Sequence, residues 1–216
     1  MSKTMPVICG IALALCVFSQ AIFAQTPTPT AAKTLVFLGD SLTAGLGVQR
    51  SEAFPALIAE KIRAAGLPFE IENAGLSGDT SAGALRRIDW LLQRPIDLLV
   101  IELGGNDGLR GLPTKELKAN LQAIIDKTRA KNPAVKIVIA GMQIPPNLGA
   151  DYAASFEKIY AELAQENKAV LIPFLLEGVG GHRELNQQDL IHPTAAGHRV
   201  VADLVWRTLE PLLREG

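Results

Sequence analysis

Cysteine is nearly missing from this sequence. Cys9 and Cys16 are the only two, and both lie in an apolar N-terminal stretch. A chain freed of that stretch has no thiol nucleophile, no thiolate metal site and no disulfide framework. Gly-x-Ser-x-Gly is absent too, which excludes the nucleophile elbow of the α/β-hydrolase fold. Basic runs are absent: 21 Lys and Arg balance 22 Asp and Glu, so no footprint for nucleic acid is present. The glycines at 45, 47, 104, 105, 178, 180 and 181 form no Gly-x-Gly-x-x-Gly after a strand, which leaves a dinucleotide loop unsupported. Histidine is scarce, at three residues. His192 and His198 stand six apart, a poor match to one helical face, so no metal site is expected. Beyond the N-terminus no segment is long and apolar enough to span a bilayer.

The N-terminus itself reads as a secretory leader. Lys3 supplies a positive start, Val7 to Phe18 is almost wholly apolar, and Ala21-Ile22-Phe23-Ala24 offers small residues before a cut. The expected leader is 1–24, cleaved after Ala24. A retained anchor is disfavoured because the apolar run is short of the ~20 residues a spanning helix needs. A lipid-modified Cys16 is disfavoured by Leu15, where a small residue is required. Residues 25–33 carry alternating prolines and read as an extended spacer. One domain, 34–216, follows. It is expected in the periplasm, as a monomer without stable membrane insertion.

With 48% hydrophobic residues, the chain can bury one substantial core. Strand and helix signals alternate along it. Leu35 to Leu38 is a continuous apolar run closed by Gly39. Helical periodicity over 52–65 ends at Gly66. Strands are expected at 69–72, 97–102, 136–140 and 169–174. Helices are expected at 82–92, from a Thr114 cap onward, at 152–166 and at 194–213, with Pro211 near the end of the last. Five short apolar strands between amphipathic helices predict an α/β parallel sheet covered on both faces. Such sheets bind ligands at the carboxyl ends of their strands.

Three loops follow three of these strands: Gly39-Asp40-Ser41-Leu42, Asn73 to Thr80, and Gly104-Gly105-Asn106-Asp107-Gly108. Asp189-Leu190-Ile191-His192-Pro193 comes just before the last helix. Ser41 is placed as a nucleophile, and a serine hydroxyl needs a base to remove its proton during attack. Histidine, whose ordinary titration near ~6.5 suits both acid and base duty, makes His192 the candidate. Asp189 would fix its tautomer and stabilise the imidazolium. Asp79 and Asp107 compete for that role but are not local to the histidine. Asp40 and Asn73 read as loop braces, and His182 and His198 as non-catalytic.

Taken together, Ser41, Gly78 in Ser-Gly-Asp-Thr, Asn106 in Gly-Gly-Asn-Asp and His192 in Asp-x-x-His-Pro resemble the four ordered blocks of the GDSL, or SGNH, hydrolase family. The likeness spans nearly the whole chain after the leader. It is strongest to the secreted single-domain bacterial branch of thioesterase/lysophospholipases and arylesterases. The resemblance implies a flavodoxin-like three-layer α/β/α fold with sheet order 2-1-3-4-5 and no cofactor. It also implies an oxyanion hole made by the N–H groups of Ser41 and Gly78 and the side-chain amide of Asn106.

The expected activity is hydrolysis of small-molecule carboxylic esters and thioesters through an acyl-enzyme on Ser41. The rivals are a carbohydrate O-deacetylase and a non-catalytic lipid or glycan binder. Leu76, Leu109, Ile144, Pro145 and Ile191 are the expected substrate-binding residues, with Leu112 and Pro146 nearby. Two glycines in 107–112 are expected to let that loop close over an acyl chain.

Overall fold

The computed structural model describes residues 1–2 and 32–215, apart from the side chain of Pro146. Residues 3–31, which hold nearly all of the expected leader and spacer, lie outside the described residues.

Five parallel strands form one sheet in the order β2-β1-β3-β4-β5. They are β1 (Lys33–Gly39), β2 (Phe69–Gly75), β3 (Leu98–Glu102), β4 (Lys136–Ala140) and β5 (Val170–Ile172). β3 is buried at every residue, as a central strand covered on both faces must be. β2 is an edge strand: Glu70 and Asn73 are exposed and its other residues are half-buried. β5 is three residues long, shorter than its apolar run suggests.

Seven α-helices occur among the described residues. α2 (Phe54–Ala64) packs with α7 (Ala195–Arg214). α3 (Ser81–Leu91), α5 (Thr114–Lys131) and α6 (Ala150–Glu166) pack in series. These two groups flank the sheet and complete three layers. Phe54 sets its ring edge-on to Phe37 at 5.4 Å, joining α2 to β1, a contact worth about 1 kcal/mol beyond burial. Thr114 begins α5 rather than capping it, because Pro113 already occupies the cap. α7 runs through Pro211 to Arg214.

Two short helices were not expected from periodicity: α1 (Ser41–Ala44) and α4 (Gly105–Leu109). Each follows a central strand and is too short to show a repeat. Their positions follow from topology. From β1 the chain moves outward to β2, then crosses back to β3 on the other side of β1. That reversal opens a crevice at the carboxyl ends of β1 and β3. The register sets Gly39 beside Glu102, so α1 and α4 emerge next to each other.

Candidate active site

Ser41 is the first residue of α1. Asp40 caps that helix by accepting the Leu42 N–H at 3.0 Å. Gly39 is required before it, since a Cβ there would collide with Thr43 and Glu102. His192 Nε2 lies 2.9 Å from Ser41 Oγ, and His192 Nδ1 lies 2.6 Å from Asp189 Oδ2. The three side chains therefore form a connected relay, although they span 151 positions of sequence.

The Asp189–His192 turn is tightly built. Asp189 Oδ1 accepts the N–H groups of Ile191 and His192 at 2.9 and 3.0 Å. Gln187 N–H donates to His192 O at 2.7 Å and closes the turn from outside. Leu190, with φ of 58°, takes a left-handed conformation that costs a side-chain-bearing residue about 1–2 kcal/mol. Burial raises the Asp189 carboxyl. The His192 ring, the two backbone N–H groups and the imidazole's charge outweigh that and hold it at about 2. Asp189 is thus ionised wherever an imidazole can act as base.

The competing carboxylates are engaged elsewhere. Asp79 Oδ2 accepts from Arg87 Nε at 2.7 Å, and Arg87 also donates to Gly39 O at 3.1 Å. Asp107 accepts the Ser81 N–H and hydroxyl at 2.9 and 2.5 Å, tying α4 to the start of α3. Asn73 braces the loop as expected, donating to Thr43 O and accepting the Gly75 N–H. His198 is buried. Its Nδ1 accepts the Phe54 N–H at 3.3 Å, and burial lowers its pKa to about 4, so it stays neutral.

Asn106 sits on α4 and lines the same cleft as Ser41. Its Nδ2 donates to Asp40 Oδ2 at 2.9 Å. Gly78, at φ of 80°, lies on the neighbouring loop after β2. Arg110 links the two, donating to Gly78 O at 3.0 Å and approaching Asn106 Oδ1 at 3.5 Å. Sequence reasoning missed Arg110. Its signal is the four-residue spacing from Asn106 on one short helical turn.

A cleft of about 340 Å³ opens at Ser41 and His192. Leu109, Ile144, Pro145 and Ile191 line it, as expected. Leu76 and Leu112 are not among its lining residues, and Leu76 is 54% exposed. The far wall was not foreseen: Met142, Phe174, Leu176, Gly180 and Leu190, from loops after β4 and β5. The loop at 107–112 makes several contacts in this structure. Leu112 N–H bonds Asp107 O, Tyr152 Oη donates to Leu112 O at 2.6 Å, and Gly108 is a packing glycine whose Cβ would press on Ile144 and Phe156. A larger depression of about 880 Å³ runs along β2 near Arg50, Glu70 and Arg94 and contains no nucleophile–base pair. No group of three or more metal-ligating side chains occurs among the described residues.

The GDSL-like lipase/acylhydrolase family model matches residues 37–200. Esterase TesA of Pseudomonas aeruginosa is 44% identical over 185 residues, covering 85% of this chain and 90% of that protein. The arylesterase of Vibrio mimicus is 35% identical over 87% of this chain and 93% of its own. Thioesterase 1/protease 1/lysophospholipase L1 of Escherichia coli is 37% identical over 85% of this chain and 86% of its own. The crystal structure of TesA superposes with a TM-score of 0.80 at 42% identity, over 83% of this chain and 99% of that one. With the four blocks now gathered at one sheet edge, this chain belongs to the GDSL-like lipase/acylhydrolase family.

Proposed function

We propose that this protein hydrolyses carboxylic esters, and thioesters by the same route, through an acyl-enzyme on Ser41. The observation that carries the reading is the Ser41–His192–Asp189 relay, with contacts of 2.9 and 2.6 Å, at the mouth of an apolar cleft.

As Ser41 Oγ attacks the carbonyl carbon, His192 Nε2 takes its proton. Asp189 holds Nδ1–H and offsets the imidazolium charge. Negative charge grows on the carbonyl oxygen. The Ser41 N–H, the Asn106 amide and the Gly78 N–H are the proposed donors to it, each worth about 100- to 1,000-fold in turnover. The imidazolium then protonates the departing alcohol or thiol. Water attacks the acyl-enzyme with His192 again as base, and Ser41 is released.

The apolar cleft favours an acyl chain longer than acetyl, which sets this reading above the O-deacetylase one. The N-terminal pattern supports export to the periplasm. No helix among the described residues is long and apolar enough to cross a membrane. The working form is proposed to be a monomer.

The test is hydrolysis of p-nitrophenyl esters from acetyl to palmitoyl by the wild type and Ser41→Ala. We expect turnover that rises beyond acetyl and falls at least ~10⁴-fold in the variant, with melting unchanged. Acetyl-only turnover supports the deacetylase. Hydrolysis that survives in Ser41→Ala refutes the serine mechanism.

A further inference from the structure

A buried acidic pair lies directly beneath the nucleophile, and the relay does not use it. Asp40 is 2% exposed and Glu102 is fully buried. Glu102 Oε2 accepts the N–H groups of Asp40 and Thr43, both at 3.2 Å, and the Thr43 hydroxyl at 2.7 Å. Its Oε1 has no hydrogen-bond partner. Asp40, by contrast, uses both oxygens: Oδ1 for the Leu42 N–H and Oδ2 for the Asn106 amide.

These contacts fix Asn106 in one orientation. A carboxylate only accepts and a guanidinium only donates. Asp40 therefore draws the amide nitrogen to its side, and Arg110 draws the amide oxygen to the other. One N–H of the amide is held by Asp40, and the second is left for a ligand. Asp40 acts on the backbone as well. It satisfies the Leu42 N–H, while the Ser41 N–H, first in its helix, has no carbonyl one turn back to bond. Gly105 leaves room for this approach, since a Cβ there would stand 3.3 Å from Asp40 Oδ2.

We propose that Asp40 is the positioning residue of the oxyanion hole, aiming the Asn106 amide at the substrate carbonyl, with Glu102 fastening the Asp40 turn from below. The proposal rests on the serine-hydrolase reading above. Two charges so close and so buried oppose each other. Burial first, then the charge of Asp40, keep the Glu102 proton on well above the ordinary range. Burial raises Asp40 on balance as well, and the Leu42 N–H, the Asn106 amide, the Glu102 side chain and nearby His192 hold back part of that rise. The proton of the pair belongs on Glu102, because both Asp40 oxygens face donors.

Asp40→Ser separates the two duties of Asp40. A serine still caps the Leu42 N–H but is too short to hold Asn106. Steady-state kinetics with p-nitrophenyl butyrate would compare wild type, Asp40→Ser, Asn106→Ala and the double variant, with melting recorded for each. If Asp40 works through Asn106, Asp40→Ser lowers kcat about 10- to 100-fold with KM within about threefold, and adds less than about threefold to Asn106→Ala. An equal kcat loss in both backgrounds, or no loss, overturns the proposal. Should Asp40→Ser fail to fold, the isosteric Asp40→Asn is read by the same cycle and the same two outcomes. Ser41→Ala runs alongside. If it is inactive while the Asp40 effect is additive, only the positioning role falls. If it is active, the serine reading itself falls.

Discussion

The two ends of the sheet are built to different standards. At the amino end, polar groups are paired one to one. Asp97 Oδ2 accepts the Thr34 N–H at 2.7 Å, Asn132 Nδ2 donates to Ile96 O at 2.9 Å, and Lys136 Nζ donates to Leu212 O at 2.8 Å. At the carboxyl end the pairing is incomplete. Glu102 Oε1, Asn186 Oδ1 and His198 Nε2 are the buried side-chain atoms without partners among the described residues. Glu102 ends β3, Asn186 lies in the loop after β5, and His198 lies in the first turns of the helix after that loop. Left-handed backbone occurs at both ends, at Lys168 before β5 and at Leu190, but Leu76, Leu109, Leu190 and Ile191 are exposed at the carboxyl end. One end holds the fold together. The other gives up stability to keep donors, a base and an apolar cleft available.

Three substitutions sharpen this contrast. The largest effect belongs to the cleft. Gly180→Leu places a side chain beside Phe174, and should lower kcat/KM for octanoyl and longer esters about 10- to 100-fold while acetyl ester turnover changes less than about threefold. A uniform loss across chain lengths would mean Gly180 does not face the acyl group. Next comes Asp97→Ala at the amino end. Urea unfolding should show a loss of about 1–3 kcal/mol with kcat unchanged, because a strand N–H loses its partner far from Ser41. A drop in kcat at unchanged stability would erase the division between the ends.

The subtlest effect concerns pH. Glu102 has a raised folded pKa, so the native state keeps a proton that the unfolded chain releases above about 4.5. Stability from this group is therefore lost as pH rises above 4.5. Glu102→Gln removes that cost. Its stability relative to wild type should improve in urea titrations as pH rises above about 4.5, until the native Glu102 gives up its own proton; a difference that stays flat with pH would show that Glu102 is ionised in the native state.

The same contrast explains what could be read in advance. The strands were legible because Leu35–Leu38 and Leu98–Ile101 are continuous apolar runs, and burial on both faces demands such runs. Asp189 and His192 were legible because they lie within one turn and Ser41 follows a strand. The cleft wall was not. Met142, Phe174, Leu176 and Leu190 come from separate loops, and an apolar loop residue looks the same whether it packs on the core or faces a cavity. Leu76, expected to bind substrate, stands outside the cleft lining. Glu102 looked like an ordinary strand terminus, since nothing in a strand pattern reveals three donors converging on one oxygen. Nor does spacing along the chain reveal that Gly108 packs closely against Ile144 and Phe156.

The central claim is a covalent acyl group on Ser41. The most direct test is to quench the wild-type enzyme with acid during turnover of p-nitrophenyl butyrate and weigh its peptides. The account predicts one butyryl group on the peptide carrying Ser41, lost on longer incubation and absent in Ser41→Ala. Hydrolysis that proceeds with that peptide unmodified throughout, or a butyryl group carried by another residue, would contradict it.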